Sequence, residues 1–204
     1  MILIGQMDSP FARRVAVTLN HYRLAFERRA LSVFADQADV RGINPLGRVP
    51  ALVLDSGETL IDSQMILDHL DEVAGPERAL TPASGPDRRR VLRVVAVALG
   101  VAEKVVALNV ETKRRASGTT DPRVVERFEG QAASALQWLD GIEPDPWFLG
   151  ERLTQADVTA TATLTHLAER RPEMFPADRY PALAALRTRA EALPAFQAAP
   201  FGEN

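Results

Sequence analysis

An α/β domain built on a small mixed sheet, followed by an all-helical domain, is the fold class this sequence predicts. Three observations carry it. Residues 1–75 alternate strand and helix patterns, residues 76–86 crowd Pro76, Pro82 and Pro86 around Ser84 and Gly85, and beyond that stretch the strand signal disappears. The expected organisation is an α/β domain over 1–75, a linker over 76–86 and an all-α domain over 87–204.

The elements follow in order. Ile2-Leu3-Ile4 is a short β-branched start and reads as a buried strand. Pro10 opens a helix at its first turn, with Val15, Leu19 and Tyr22 at helical spacing behind it. Phe26 to Leu31 alternates apolar and charged residues as a strand does, and a helix is expected before the next strand. Ala51–Leu54 and Glu58–Ile61 flank Asp55-Ser56-Gly57, a hairpin turn. Ile66, Leu67, Leu70 and Val73 then mark one apolar helix face that ends at Gly75-Pro76. The order is β-α-β-(α)-β-β-α, a mixed four-stranded sheet in which a right-handed crossover makes the first two strands parallel. The hairpin adds antiparallel strands. In the second half, Val91–Val110 is rich in valine, but its length without a turn signal favours a buried helix over a strand. Pro122 opens another helix through Val125, Phe128, Ala132, Leu136 and Leu139, and two more are expected near 155–170 and 180–192.

Composition narrows the function. With 46% apolar and 25% charged residues, the 204-residue chain matches ordinary globular proteins and can bury its core without covalent staples. The 24 basic and 27 acidic residues leave a formal charge of −3, which gives no electrostatic reason to expect nucleic acid or an anionic membrane as partner. Cysteine is absent, so disulfides, thiolate–metal sites and protein-thiol redox chemistry are excluded. The start of the chain lacks the basic segment of a signal peptide, and no apolar run reaches the ~18 residues of a membrane span. A cytoplasmic address is the default expectation.

Three places can carry chemistry. Ser9-Pro10-Phe11-Ala12 stands where the first strand hands over to the first helix, so backbone N–H groups and the positive helix end converge on a ready site for an anion, a thiolate included. The Ser9 hydroxyl can donate to such a thiolate, and it can equally serve as a plain helix cap. Val49-Pro50 leads into the third strand. A cis bond there would free the Val49 backbone to pair with a peptide-like ligand, and an ordinary trans proline would only end the loop. Asp62-Ser63 opens the helix after the hairpin. Its carboxylate and hydroxyl suit an α-amino group and an α-carboxylate, and they also suit a cap.

The order of these features resembles the cytosolic glutathione S-transferase superfamily: Ser-Pro-Phe-Ala after strand 1, Val-Pro before strand 3, Asp-Ser after strand 4. Gly150-Glu151-Arg152-Leu153-Thr154-Gln155-Ala156-Asp157 is similar to the family's Gly-x-x-x-Thr-x-Ala-Asp stretch, whose physical content is a capping box between Thr154 and Asp157. The ending, Tyr180-Pro181 to Pro194-Ala195-Phe196, is similar too, although Leu186 stands where many members carry tryptophan. The match runs from residue 2 to about 197. The resemblance implies a thioredoxin-like N-terminal domain in which Ser9 and Ala12 replace both redox cysteines, and a helical bundle behind it. It implies glutathione as co-substrate, no metal, a small hydrophobic electrophile as second substrate, and a homodimer. Ser9 would be the catalytic residue. Phe11, Arg48, Val49, Pro50, Asp62 and Ser63 would bind glutathione, with Val49 on its cysteinyl part, Asp62 and Ser63 on its γ-glutamyl end, and Arg48 near its glycine carboxylate.

Three activities are consistent with that family: a transferase forming thioether conjugates, a specialised glutathione-dependent isomerase, dehalogenase or lyase, and a non-catalytic regulator on the same fold. The maleylacetoacetate isomerase branch usually shows Ser-Ser-Cys at the helix start, so Ser9-Pro10-Phe11 argues against it. His21, His69 and His166 lie on three separate expected helices without metal-ligand spacing. Arg88-Arg89-Arg90 and Lys113-Arg114-Arg115 read as solvated helix ends, the second cluster alternatively as a cleft rim that attracts anionic co-substrates. Arg13-Arg14 reads as a basic rim for anionic substrates or as a pair for acids across a dimer interface.

Overall fold

The hairpin strands sit beside the first strand rather than beyond the second, and this choice sets the sheet. The structure, a computed structural model, describes residues 1–202. Its strands are β1 (Ile2–Ile4), β2 (Glu27–Arg29), β3 (Ala51–Val53) and β4 (Thr59–Ile61), in the order β2-β1-β3-β4. β1 and β2 run parallel, pairing Leu3 with Arg28 across the crossover helix α1 (Pro10–Tyr22). β1 and β3 are antiparallel, with Leu3 opposite Leu52, and β3 and β4 form the hairpin, closed at Gly57 with φ 87°. The mixed four-stranded sheet expected from sequence is thus observed. Its strands are shorter than the apolar alternation suggested: the expected Phe26–Leu31 strand pairs over three residues only. Those three, Glu27, Arg28 and Arg29, are all exposed, and their charges on an edge strand discourage pairing with another chain.

Two compact units make up the chain. The first takes in residues from Met1 to Ala83 together with the segment that begins at Glu191, and the second is Ser84–Ala190. In the first unit the core is Leu3, Ile4, Val15, Leu19, Leu52, Ile66, Leu67 and Leu70, contributed by β1, β3, α1 and α3 (Ser63–Ala74). Val73, expected on the buried face of α3, lies in the last turn of the helix and is 53% exposed. A short helix α2 (Gln37–Ile43) fills the connection before β3. The segment from Glu191, which the sequence reading attaches to the helical half, clusters with this unit instead. Arg13 of α1 is the reason. Its guanidinium, 1% exposed, takes both Glu191 carboxylate oxygens at 2.6 and 2.7 Å, donates through Nε to the Ala199 carbonyl at 2.8 Å and lies over the Phe196 ring. Asn20 donates to the Ala195 carbonyl. A buried charge needs such partners, and here they are 178 and more residues away in sequence. The helix α8 (Pro194–Gln197) belongs to this tether.

The second unit is helical, with α4 (Gly85–Lys113), α5 (Pro122–Asp140), α6 (Gln155–Arg170) and α7, which starts at Pro181. Ser84, Gly85 and Pro86 of the expected linker are the cap and first turn of α4, proline fitting there because its missing N–H has no partner to lose. Although nearly every residue of Val91–Val110 is apolar, burial selects one face: Val91, Val94, Val95, Ala98, Val101, Ala102, Val105 and Leu108. That face packs with Ala132, Leu136 and Leu139 of α5 and Ala160, Leu164 and Leu167 of α6. Each fully buried valine or leucine side chain contributes roughly 1.5–3 kcal/mol. α6 differs in kind. Its residues Gln155 to His166 are buried without interruption, polar ones included, and its start is the capping box read from sequence, with the Asp157 carboxylate accepting from the Thr154 N–H, the Thr154 hydroxyl and the Phe148 N–H, each at 2.8 Å. Among the described residues no helix is long and apolar enough to cross a membrane.

Candidate functional site

Gly5, at the end of β1, is where the first candidate residues meet. A Cβ on this residue would lie 3.0 Å from the Val49 Cβ and 3.1 Å from the Ala12 Cβ, so the loop before β3 and the first turn of α1 press on it from two sides. With φ of 134°, the position also suits glycine for its backbone. Ser9 and Val49 are thereby held in one neighbourhood by a residue the sequence reading did not single out.

Ser9 caps α1. Its Oγ accepts the Ala12 N–H at 3.3 Å and its carbonyl accepts the Arg13 N–H at 2.9 Å. As acceptor in the first of these, the hydroxyl keeps its own proton to donate elsewhere. Pro10 has no N–H, and no bond of the cap uses the Phe11 N–H. That donor and the Ser9 hydroxyl stand together at the positive end of the helix. Both residues are partly exposed.

The Val49–Pro50 peptide is cis. Pro50 is buried and Val49 half-buried, just outside β3, and no turn, loop or cap hydrogen bond among the described residues uses the Val49 N–H or C=O. The loop is braced from behind: the Asn44 side chain donates to the Arg48 carbonyl at 2.8 Å and accepts the Leu46 N–H at 3.0 Å. Arg48 itself is exposed.

Asp62 and Ser63 open α3. Asp62 caps it, accepting the Gln64 N–H on Oδ1 at 2.8 Å, and its side chain is otherwise exposed. Its backbone has φ 66° and ψ 128°, a region that non-glycine residues seldom occupy and that clusters at functional positions. Ser63 is buried, 4% exposed, and its hydroxyl accepts a hydrogen bond at 2.9 Å from Arg14 Nη2 on α1. Arg14 is wholly buried, and Nη2 also reaches the Gln64 side-chain oxygen at 3.5 Å. Burial pushes the Arg14 pKa down to about 10, with the Asp62 charge acting against the fall, so the group stays cationic at neutral pH. Neither arginine of the Arg13-Arg14 pair forms a solvent-facing rim: one ties the segment from Glu191 to α1, the other underlies Asp62-Ser63. The sequence carried no signal for this beyond the α1 pattern itself, in which every residue from Ala12 to Leu19 is buried. Tyr22 is no rival to Ser9, since its buried hydroxyl donates to the Asp71 carboxylate and accepts the Leu80 N–H. His21 is exposed, His69 half-buried and His166 buried within α6.

The arrangement therefore offers a helix-end donor pair, an extended backbone edge, and a carboxylate beside a hydroxyl backed by a buried cation. The chain matches known proteins along both units. The glutathione S-transferase N-terminal domain family matches residues 3–78 and the glutathione S-transferase C-terminal domain family residues 122–189. Maleylacetoacetate isomerase of Pseudomonas aeruginosa is 31% identical, covering 98% of this chain and 95% of its own. The GST-like protein YibF of Escherichia coli is 27% identical over 84% of each. A glutathione S-transferase structure from Methylobacillus flagellatus, solved with glutathione bound, superposes with a TM-score of 0.89 at 30% identity, covering 97% of this chain and 98% of that one.

Proposed function

The chain belongs to the glutathione S-transferase superfamily, and from that premise we propose that it binds glutathione in its α/β unit and activates the thiol for attack on a hydrophobic electrophile, giving a thioether. One observation supports this reading above the others: the start of α1 presents the Ser9 hydroxyl and the Phe11 N–H side by side, with Val49 packed on the same glycine. A free thiol has a pKa of roughly 8.5, so only a few per cent is thiolate at neutral pH. Two donors at a helix N-terminus favour the charged form. Val49 would pair through its backbone with the cysteinyl part, which holds the sulfur in line, while Asp62 and Ser63 would take the γ-glutamyl end. Arg48 would keep the weaker role of an exposed cation near the glycine carboxylate, and Pro50 shapes the loop.

A glutathione-dependent isomerase is the second reading. The 31% identity to the Pseudomonas aeruginosa isomerase favours it, and Pro10-Phe11 after Ser9 weighs against it. Both readings need the thiolate, so one experiment tests their shared step. The ultraviolet absorbance of bound glutathione, titrated with pH, should show a thiol pKa lowered by a unit or more, about 1.4 kcal/mol per unit. Ser9→Ala should return most of that shift. A bound thiol that titrates like free glutathione would end the transferase reading and leave a binding protein. Product analysis with an aryl halide and with a cis-enoyl diacid then separates conjugation from isomerisation.

A further inference from the structure

Arg13 and Arg14 are adjacent, both buried, and put to different uses. Arg13 is clamped by the Glu191 carboxylate. Arg14 directs Nη2 to a serine hydroxyl and an amide oxygen at the start of α3. A guanidinium can only donate, so the bond to Ser63 occupies a lone pair of Oγ and turns the hydroxyl's own proton away from the arginine. Ser63 is thereby fixed as a donor, and the bond's charge-assisted character strengthens it in that role. Next to it, Asp62 spends Oδ1 on the Gln64 N–H and, being exposed, offers Oδ2 as an acceptor. A fixed donor over a buried positive charge, one residue from an exposed negative acceptor, is the complement of a zwitterionic amino-acid head: carboxylate on one side, ammonium on the other.

We propose that Arg14 is a positioning residue for the γ-glutamyl end of glutathione, holding the Ser63 hydroxyl as a donor and supplying the positive charge against which the α-carboxylate settles. The inference rests on the glutathione reading of this site and adds a residue that touches no ligand atom.

The test is calorimetric binding of two ligands, glutathione and γ-aminobutyryl-cysteinyl-glycine, which lacks only the α-carboxylate. The native protein should prefer glutathione by about tenfold or more, the scale of a charge-assisted hydrogen bond. Arg14→Gln should abolish that preference by weakening glutathione alone, and Arg14→Lys should restore part of it. An Arg14→Gln protein that weakens toward both ligands in equal proportion, or toward neither, would overturn the proposal. Should burial of the new side chain prevent folding, Ser63→Ala carries the same comparison: the preference should vanish there too, and its survival would overturn the relay. Native protein that binds both ligands equally removes Arg14's part and keeps the glutathione site. Native protein that binds neither ends both readings.

Discussion

Two helices of this molecule begin with the same vocabulary, a hydroxyl residue and an aspartate, and use it for opposite ends. At α6 the box is closed: Thr154 and Asp157 are buried, and the carboxylate accepts three donors from the chain itself. At α3 it is open: Asp62 is exposed with one cap bond, and the Ser63 hydroxyl is held from below by Arg14. The difference teaches that capping residues are available to a ligand, as proposed for Asp62 and Ser63, when their remaining hydrogen-bonding capacity is turned outward. Burial and the count of satisfied oxygens distinguish the two cases, whereas residue type does not.

That contrast can be broken in three ways. Asp157→Ala should have the largest effect, leaving two buried donors of Thr154 and the half-buried Phe148 N–H without an acceptor at a cost of about 3–5 kcal/mol, read by urea denaturation. A loss below about 1 kcal/mol would show that α6 does not depend on its box. Asp62→Asn comes next. Asparagine keeps the cap and tolerates the positive φ, so stability should move by less than about 1 kcal/mol while glutathione affinity falls tenfold or more for want of the negative charge. Unchanged affinity would make α3 as purely structural as α6. The smallest effect concerns pH. Burial raises the Asp157 carboxyl above its ordinary value, against the pull of its hydrogen bonds from Phe148 and Thr154. The folded protein therefore holds that proton more tightly than the unfolded chain, and the resulting stabilisation is complete below the ordinary carboxylate range and is lost as pH rises through the raised value. The stability advantage of the native protein over Asp157→Asn, which does not titrate, should shrink as pH rises from the ordinary carboxylate range through the raised value. A constant advantage would mean that the hydrogen bonds cancel the burial in full.

Much of this was legible before any coordinates. The hairpin, the Pro10 and Pro122 helix starts, the capping box and the apolar faces of α3 and α5 depend on neighbours in sequence, and pattern reading reaches that range. The link from Arg14 to the start of α3 did not emerge for the opposite reason: its partners lie 49 and 50 residues away, and a stretch buried on every side from Ala12 to Leu19 has no period to betray which charges face inward. Gly5 escaped for lack of a side chain, its role being to leave room for Val49 and Ala12. Val73 stands exposed in the last turn of α3, where helical period alone does not fix burial.

The tether at Arg13 also bears on how the chain is made. Domains tend to fold in the order in which they are synthesised. The α/β unit is first out, yet the carboxylate that compensates the buried Arg13 guanidinium is at Glu191, after the whole helical unit has been translated. The helix that begins at Pro10 therefore reaches its final electrostatic balance only after the helical unit has been made. A ribosome stalled anywhere in the second unit would carry a first unit of correct topology with an unneutralised charge at its centre.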